Sequence, residues 1–137
     1  MKVLTVRNPW AYAIFHLGKD VENRSWCRDY RGPLLIHAGS HRYADPQELL
    51  REYLKRPPSN EELKKNFEYS AIVGVVELED CISNSKSRWA DKGACHWILR
   101  RPRLFKHPIN CGGFLGLWNP RPADLKKIPN WARAPNR

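Results

Sequence analysis

The pattern of hydrophobic and polar positions predicts a domain built mainly from short β-strands. Apolar residues cluster at positions 1–6, 34–38, 70–78, 94–99 and 113–118, and the chain from residue 19 lacks helical periodicity and is also predicted to be extended. The unbroken run at 70–78 is typical of a central strand, in which Gly74 marks a bulge or a sharp bend. The basic, proline-containing residues 100–107 are predicted to form a loop.

A short helix is predicted directly after the first strand. Asn8 is a suitable N-cap, Pro9 suits the first helical position, and Gly18 ends the segment. The apolar residues of the intervening stretch, residues 10–17, fall on one helical face. We expect this face to pack on the core.

A second helical region interrupts the strands near residues 45–68. It is predicted to contain two helices, at residues 46–55 and 61–67. Short strands, sharp glycine bends and few helices together predict an α+β fold arranged as a small, partly closed mixed β-barrel. We expect a single domain over residues 1–137, with a basic tail from about residue 119 that is weakly ordered except where Trp131 docks.

The net charge of +10 is unevenly distributed along the chain. Residues 45–68 are nearly neutral, so almost all of the excess positive charge lies in the rest of the sequence. A basic body of this kind favours a polyanionic partner, and nucleic acid is the commonest polyanion. The charge alone does not decide the matter, since many basic proteins bind no nucleic acid.

The sequence predicts neither a membrane span nor a metal site. No stretch approaches the roughly 20 apolar residues that a span requires, and no signal peptide is apparent, so we expect a soluble, cytoplasmic protein. Adjacent Cys95 and His96 would point to opposite faces of a strand, which argues against zinc, and no phosphate-binding loop or other cofactor motif is found. The widely spaced cysteines are predicted to be free thiols; they are Cys27, Cys81, Cys95 and Cys111.

A dense charged cluster follows the first predicted helix. Lys19, Glu22 and Arg24 lie within six positions, directly after Gly18. Glu22 and Arg24 share one face of an extended segment, and Lys19 joins them only if the backbone turns near the glycine. Such a cluster can aim a guanidinium at a phosphate or a base edge, or supply a lysine base or nucleophile with a carboxylate as proton carrier. An ordinary surface ion pair is the simpler alternative.

Several segments of the chain resemble the ASCH domain family. Lys19, Glu22 and Arg24 fit its KxxExR pattern. The flanking segments that fit in order are NPWA at 8–11, RGPLLIHA at 31–38, AIVGVVEL at 71–78, HW at 96–97 and GFLGLW at 113–118. The resemblance covers nearly the whole chain, and it implies a PUA-like β-barrel with a cleft between the barrel and the first helix that is lined by the motif.

The family is generally proposed to bind RNA or other nucleic acid, so the resemblance implies a set of site residues. The cleft candidates, from the motif and its neighbourhood, are Lys19, Glu22, Arg24, Asn8, Trp10, Arg31, His37 and Ser40. Trp10 and Trp26 are candidates for stacking a base, and a buried, hydrogen-bonded role in the core is the alternative for His37. The candidates for phosphate contacts on the outer surface are Arg100, Arg101, Arg103 and Lys106.

The preferred hypothesis is an RNA- or nucleic-acid-binding protein whose basic cleft accepts a nucleotide or a modified base. The alternative is an enzyme with Lys19 and Glu22 as catalytic residues. Some small family members resemble N4-acetylcytidine amidohydrolases that use a lysine, a threonine three positions later and a glutamate; Lys19 matches the lysine, but Glu22 stands at the threonine position. Other members are linked to ribonuclease activity. A protein-interaction module is a third reading.

Overall fold

The structure is a computed structural model that describes residues 1–133. Residues 134–137, and with them Arg137 of the predicted basic tail, lie outside the described residues. None of the helices in residues 1–133 has the length and hydrophobicity that a membrane-spanning helix requires. The elements in chain order are β1 (Lys2–Val6), α1 (Trp10–His16), β2 (Val21–Arg24), β3 (Gly32–Ala38), α2 (Pro46–Leu50), α3 (Asn60–Asn66), β4 (Ala71–Ile82), β5 (Cys95–Asn110), β6 (Leu117–Trp118), α4 (Pro122–Leu125) and α5 (Asn130–Arg133).

The strands form one six-stranded sheet in the order β2-β5-β4-β3-β1-β6. β1 and β3 run parallel, whereas the other neighbouring pairs of the described chain are antiparallel. The right-handed twist between strands curls this sheet into a half-barrel. α1 connects β1 to β2 and contacts β3 and β5. The prediction of a small α+β barrel-like fold with a helix after the first strand is confirmed.

Both faces of the sheet are buried, because successive residues of a strand point to opposite sides. On one face Leu4 and Ile36 join Ile14 of α1 in a common cluster. On the other face Val3 and Leu35 lie in a cluster with residues of the C-terminal helices. Each fully buried aliphatic side chain of this kind contributes about 1.5–3 kcal/mol. This double burial explains the unbroken apolar run that predicted β3.

Strand β5 is much longer than predicted, and the loop expected at residues 100–107 is wrong. The strand keeps its pairing with β4 because its prolines fall at irregularities in the ladder. Arg101 and Pro102 lie in a bulge between the paired residues Arg100 and Arg103, and Pro108 lies in a second irregularity between Leu104 and Ile109. A proline has no N–H to donate, and a bulge is a position where the ladder needs none.

Gly74 marks the irregularity on the opposite strand, as predicted. The pairing of β4 with β5 shifts between Ile72 and Gly74. A Cβ atom at Gly74 would lie 2.5 Å from the backbone oxygen of Arg103 and 2.7 Å from the ring of Phe15. Glycine therefore allows β5 and α1 to approach the centre of the sheet closely.

Two predictions about the C-terminal part of the chain are wrong. The strand expected at residues 113–118 is limited to Leu117–Trp118, and residues 111–116 form a loop. The tail expected to be weakly ordered forms α4 and α5 within the described residues, with Ile128 and Ala132 buried in the core. Trp131 contacts Phe105 edge-on but stays 46% exposed.

The expectation of four free thiols is also wrong. Cys27, just after β2, is bonded to Cys95 at the start of β5, and their Cα atoms are 5.8 Å apart. The pairing of β2 with β5 places Arg24 opposite Cys95, which brings the Cys27 segment within reach. Cys81 and Cys111 are free. No sequence motif predicts this disulfide, because the two cysteines are 68 residues apart in the chain.

Two short helices lie between β3 and β4, in the region predicted to be helical. Their first turns are capped by side chains: Asp45 accepts a hydrogen bond from the Glu48 N–H, and Ser59 accepts one from the Glu62 N–H. α2 is shorter than predicted. Buried Leu50 and Leu63 join these helices to Trp89 in a third apolar cluster.

Candidate functional site

The turn after α1 brings the charged cluster together as predicted. Gly18 has a φ of +72°, a conformation that favours glycine, and the chain enters β2 at Val21. The Lys19 Nζ atom then lies 2.9 Å from Oε1 of Glu22. The other carboxylate oxygen of Glu22 lies 2.9 Å from Nη2 of Arg24. The three residues form one continuous ion-pair chain, with Glu22 in the middle.

The carboxylate of Glu22 is held in its charged form inside the protein. The residue is 7% exposed. Burial by itself would raise the pKa of Glu22, but the Lys19 ammonium and the Arg24 guanidinium outweigh burial through their charges and hydrogen bonds, and the pKa is lowered. Glu22 is therefore an anion at neutral pH, with a cation on each side.

Lys19 lies behind this carboxylate. It is 4% exposed, and its ammonium also donates to the backbone oxygen of Val21. It lines a separate hollow of about 230 Å³, together with Arg100 and Arg101, instead of the main cleft. Glu22 thus stands between the Lys19 ammonium and the cleft.

Arg24 closes the gap between the two sides of the curled sheet. β2 and β1 are not neighbours in the sheet, yet Nη2 of Arg24 donates to the backbone oxygen of Thr5 at 2.9 Å. Its Nε atom is buried and finds no hydrogen-bond partner within residues 1–133. The guanidinium is therefore fixed by Glu22 on one side and by β1 on the other.

A cleft of about 1030 Å³ opens beside this arginine. It lies where β1 and β3 end, because the carboxyl ends of two parallel strands meet at the same edge of the sheet. The start of α1, strand β2 and the loop after β5 complete its walls. The KxxExR resemblance implied a cleft between the barrel and the first helix, and the observed cleft lies at that position.

Five of the eight predicted cleft residues line it; they are Glu22, Arg24, Trp10, His37 and Ser40. Trp10 is half-buried and packs edge-on against Tyr53, whereas Trp26, the other stacking candidate, packs on Trp97 outside the cleft.

His37 is buried and hydrogen-bonded, as the core alternative predicted, and it also lies at the floor of the cleft; it is 2% exposed. Its Nε2 atom faces the backbone oxygen of Cys111 at 2.8 Å and must carry the proton, so Nδ1 accepts from the Thr5 hydroxyl at 3.2 Å. Burial lowers the pKa of His37, although the bond to Cys111 opposes this. His37 is a neutral residue with two hydrogen bonds, and it joins the loop after β5 to the floor of the cleft.

The other three predicted residues lie outside the cleft, and Lys19 has been described above. Asn8 is 3% exposed and joins the start of α1 to the chain after α3, since its side chain accepts from the Tyr12 N–H and donates to the Glu68 carbonyl. Arg31 is exposed and pairs with Asp80 at 3.3 Å. Asn8 and Arg31 are near the motif in sequence, but neither lines the cleft.

The sequence missed several residues of the cleft. Arg7, at the end of β1, donates to the Tyr43 hydroxyl at 3.1 Å, and His41 packs edge-on against Tyr43. Phe114 and Leu115 reach the cleft from the loop after β5. In the sequence, glycines flank Phe114 and Leu115 on both sides. This pattern could have indicated a loop, but it also fits the strand that the sequence analysis predicts.

The predicted phosphate-binding residues of β5 lie away from the cleft lining. Arg100 pairs with Glu79 at 3.5 Å, and the guanidinium of Arg103 lies 4.9 Å from the ring centre of Trp131. Lys106 is exposed. In the part of the chain that the structure describes, no three His, Cys, Asp or Glu side chains lie close enough together to hold a metal ion.

Comparison with known proteins places these observations in a family. The family model described as ASCH domain matches residues 4–109. The chain is similar to activating signal cointegrator 1 of Homo sapiens, with 33% identity over 86 residues, which is 61% of this chain and 15% of the relative. The same protein of Mus musculus matches equally, at 33% over 86 residues. The chain thus spans only 15% of the length of these curated relatives.

Proposed function

Because the chain belongs to the ASCH domain family, whose PUA-like domains are generally proposed to bind RNA, we propose that it binds RNA or another nucleic acid through the cleft beside Arg24. In this proposal the cleft accepts a nucleotide or a modified base. The protein then acts as a binding module.

The observation that carries the proposal is the ion-pair chain that ends in the cleft. Lys19 balances the charge of Glu22 from behind, so Arg24 and Arg7 leave the cleft cationic. The Arg24 side chain is 24% exposed, so its charge remains accessible from the cleft although Glu22 and Thr5 hold it in place. A fixed, accessible guanidinium in a cleft supports a role in binding an anion.

The cleft offers the three kinds of contact that nucleotide recognition uses. The guanidinium of Arg24 suits a phosphate or a base acceptor, and the Glu22 carboxylate suits an exocyclic amine. Trp10 gives an aromatic surface for an unpaired base. A longer nucleic-acid strand would place phosphates on the basic residues of β5, which are Arg100, Arg101, Arg103 and Lys106. The exposed ion pair between Arg100 and Glu79 is weak enough for Arg100 to exchange Glu79 for a phosphate.

The hydrolase alternative receives less support from this arrangement. A lysine nucleophile must reach its substrate, whereas the Lys19 ammonium is buried behind Glu22. Incubation with N4-acetylcytidine and with labelled RNA tests this alternative, with Lys19→Ala as the control. Turnover that disappears in the variant, while circular dichroism shows that the variant is folded, would favour an enzyme over a binding module.

The proposal is tested by fluorescence anisotropy with a labelled single-stranded RNA over a series of salt concentrations. We expect affinity to fall steeply with salt, because bound phosphates release counterions. Arg24→Ala should weaken binding about tenfold or more, since hydrogen bonds to charged groups contribute about 1.5–3 kcal/mol.

Arg31→Ala is the matched control, because Arg31 is an exposed, ion-paired arginine outside the cleft. Arg24→Lys keeps the positive charge but lacks the paired N–H donors of the guanidinium. Circular dichroism checks that each variant is folded. Equal affinity of the Arg24→Ala and Arg31→Ala variants, or binding that ignores salt, would contradict the proposal.

A further inference from the structure

The loop between β5 and β6 exposes two large apolar side chains at the rim of the cleft. Phe114 is 61% exposed and Leu115 is 99% exposed, and both line the cleft. Large apolar residues at a loop tip lose the stabilisation that burial would give them, about 25 cal/mol for each Å² left in water. Exposed apolar groups beside a polar cleft are typical of a binding site.

The base of this loop, in contrast, is tightly held. The Cys111 N–H donates to the Ser70 carbonyl at 3.0 Å, and His37 holds the Cys111 carbonyl. Gly113 lies so close to the floor that a Cβ atom there would be 2.6 Å from the Thr5 hydroxyl. The exposure of the tip is therefore a property of a loop that is anchored at its base.

Phe114 also has a defined neighbour. Its ring lies 5.2 Å from that of Trp118 in an edge-on arrangement with an interplanar angle of 68°. Trp118 is fixed in turn, because its indole N–H donates to the Thr5 hydroxyl at 3.1 Å. A ring held at its edge while most of it stays exposed has a surface available for stacking.

We propose that Phe114, supported by Leu115, stacks an unpaired base of a single-stranded nucleic acid whose neighbouring nucleotide occupies the cleft. This inference rests on the proposed function and adds the class of ligand: a single strand of at least two nucleotides, instead of a free nucleoside or a duplex. Bases inside a duplex already stack on one another and have no free face, whereas every unpaired base has one.

The charge of the surroundings favours nucleic acid over an apolar protein partner as the occupant. Arg7 and Arg24 line the same cleft as Phe114, and the chain as a whole carries a net charge of +10. Cations beside an aromatic ring form the usual site for single strands, in which the ring holds the base and the cations hold the backbone.

The test compares three probes by fluorescence anisotropy, directly or by competition: a single-stranded RNA of about eight nucleotides, a duplex of the same length, and cytidine 5′-monophosphate. The unaltered protein should prefer the single strand to the duplex. Phe114→Ala should weaken single-strand binding about tenfold, the effect of losing one stacked base, and leave competition by the mononucleotide unchanged.

Two further variants separate stacking from simple apolar contact. Phe114→Trp should retain affinity, whereas Phe114→Leu should lose it, because leucine is apolar but has no ring. Leu104→Ala is the control for the loss of an exposed apolar side chain outside the cleft, since Leu104 is 45% exposed. Retention of affinity in Phe114→Leu would show that apolar contact without a ring is enough and would overturn the inference.

The failure of this inference is distinguishable from that of the proposed function. If Arg24→Ala weakens both the oligonucleotide and the mononucleotide while Phe114→Ala weakens neither, only the stacking role is overturned. If the unaltered protein binds none of the probes, both proposals fail. A duplex bound as tightly as the single strand would also overturn the stacking role.

Discussion

At the scale of single residues, Glu22 determines the electrostatics of the site. Its carboxylate is buried, and it remains charged because a cation contacts each of its oxygens. One cation, Lys19, is hidden behind it, and the other, Arg24, lines the cleft. The Lys19–Glu22 pair is buried, and its energetics therefore differ from those of an exposed ion pair.

Removal of the hidden cation tests this difference. Lys19→Met should lower the free energy of unfolding by about 3–5 kcal/mol, because it leaves the buried Glu22 carboxylate with only one of its two neutralising cations. Arg51→Met is the matched control: its pair with Glu48 has the same spacing in sequence and the same 2.9 Å separation, but the side chains are 50% and 68% exposed. That variant should lose about 1 kcal/mol or less. Equal losses in urea denaturation would contradict the assignment.

The lowered pKa of Glu22 predicts how stability depends on pH. The folded protein holds the pKa below the ordinary value of 4.5, so in acid the unfolded chain binds more protons at this site. The contribution of Glu22 to stability is complete above 4.5 and is lost as the pH falls toward the folded pKa. Unfolding free energies measured below about pH 5 should therefore fall less steeply in Glu22→Gln. Parallel curves would exclude this role.

At the scale of elements, the loop between β5 and β6 is where the fold and the site meet. Its base packs on Thr5 and His37, and its tip carries the exposed side chains of the cleft rim. The sequence predicted a strand here, because alternating apolar and glycine residues fit a strand as well as they fit a loop whose side chains are exposed.

Adjacent glycines provide a sharp test of this packing. Gly113→Ala places a Cβ atom 2.6 Å from Thr5 and 2.8 Å from His37, whereas Gly112→Ala meets nothing within 4 Å. We expect Gly113→Ala to destabilise the protein by about 1–3 kcal/mol by overpacking and to displace the loop. Gly112→Ala should be nearly neutral. Thermal unfolding and single-strand binding would both report the contrast, and equal behaviour of the two variants would argue against a tightly packed loop base.

At the scale of the whole molecule, a side chain joins the curled sheet across its gap, and a covalent bond ties the chain after β2 to the neighbouring strand. Arg24 connects β2 to β1, and the Cys27–Cys95 disulfide connects the chain after β2 to β5. Both links lie next to the cleft wall formed by β2. The position of that wall thus depends on tertiary contacts between distant segments.

Reduction should therefore lower the stability of the protein. Closing a loop between residues 68 positions apart stabilises a fold by about 2–4 kcal/mol, mainly by restricting the unfolded chain. Urea denaturation with and without reductant should show this difference. The Cys27→Ser/Cys95→Ser variant should no longer respond, and the Cys81→Ser/Cys111→Ser variant should respond as the unaltered protein does. The same response in both variants would contradict the pairing.

The sequence by itself determined the class of fold and the charged cluster. Apolar runs predicted β1, β3 and β4 because buried strands exclude water along their length, and Gly18 predicted the turn that joins Lys19 to Glu22 and Arg24. These features depend on neighbours in the chain. Local patterns report them directly, and the resemblance to a family added the position of the cleft.

Only the tertiary structure decided which residues line that cleft. Arg7 and Phe114 both line the cleft, whereas Arg31, which is closer to the motif in sequence than either, pairs with Asp80 outside it. Strand β5 continues through its prolines because they fall in bulges of β5, where its pairing with β4 needs no N–H donor. Such outcomes depend on the register between strands that are distant in the chain, and the hydrophobicity of each segment alone carries no information about that register.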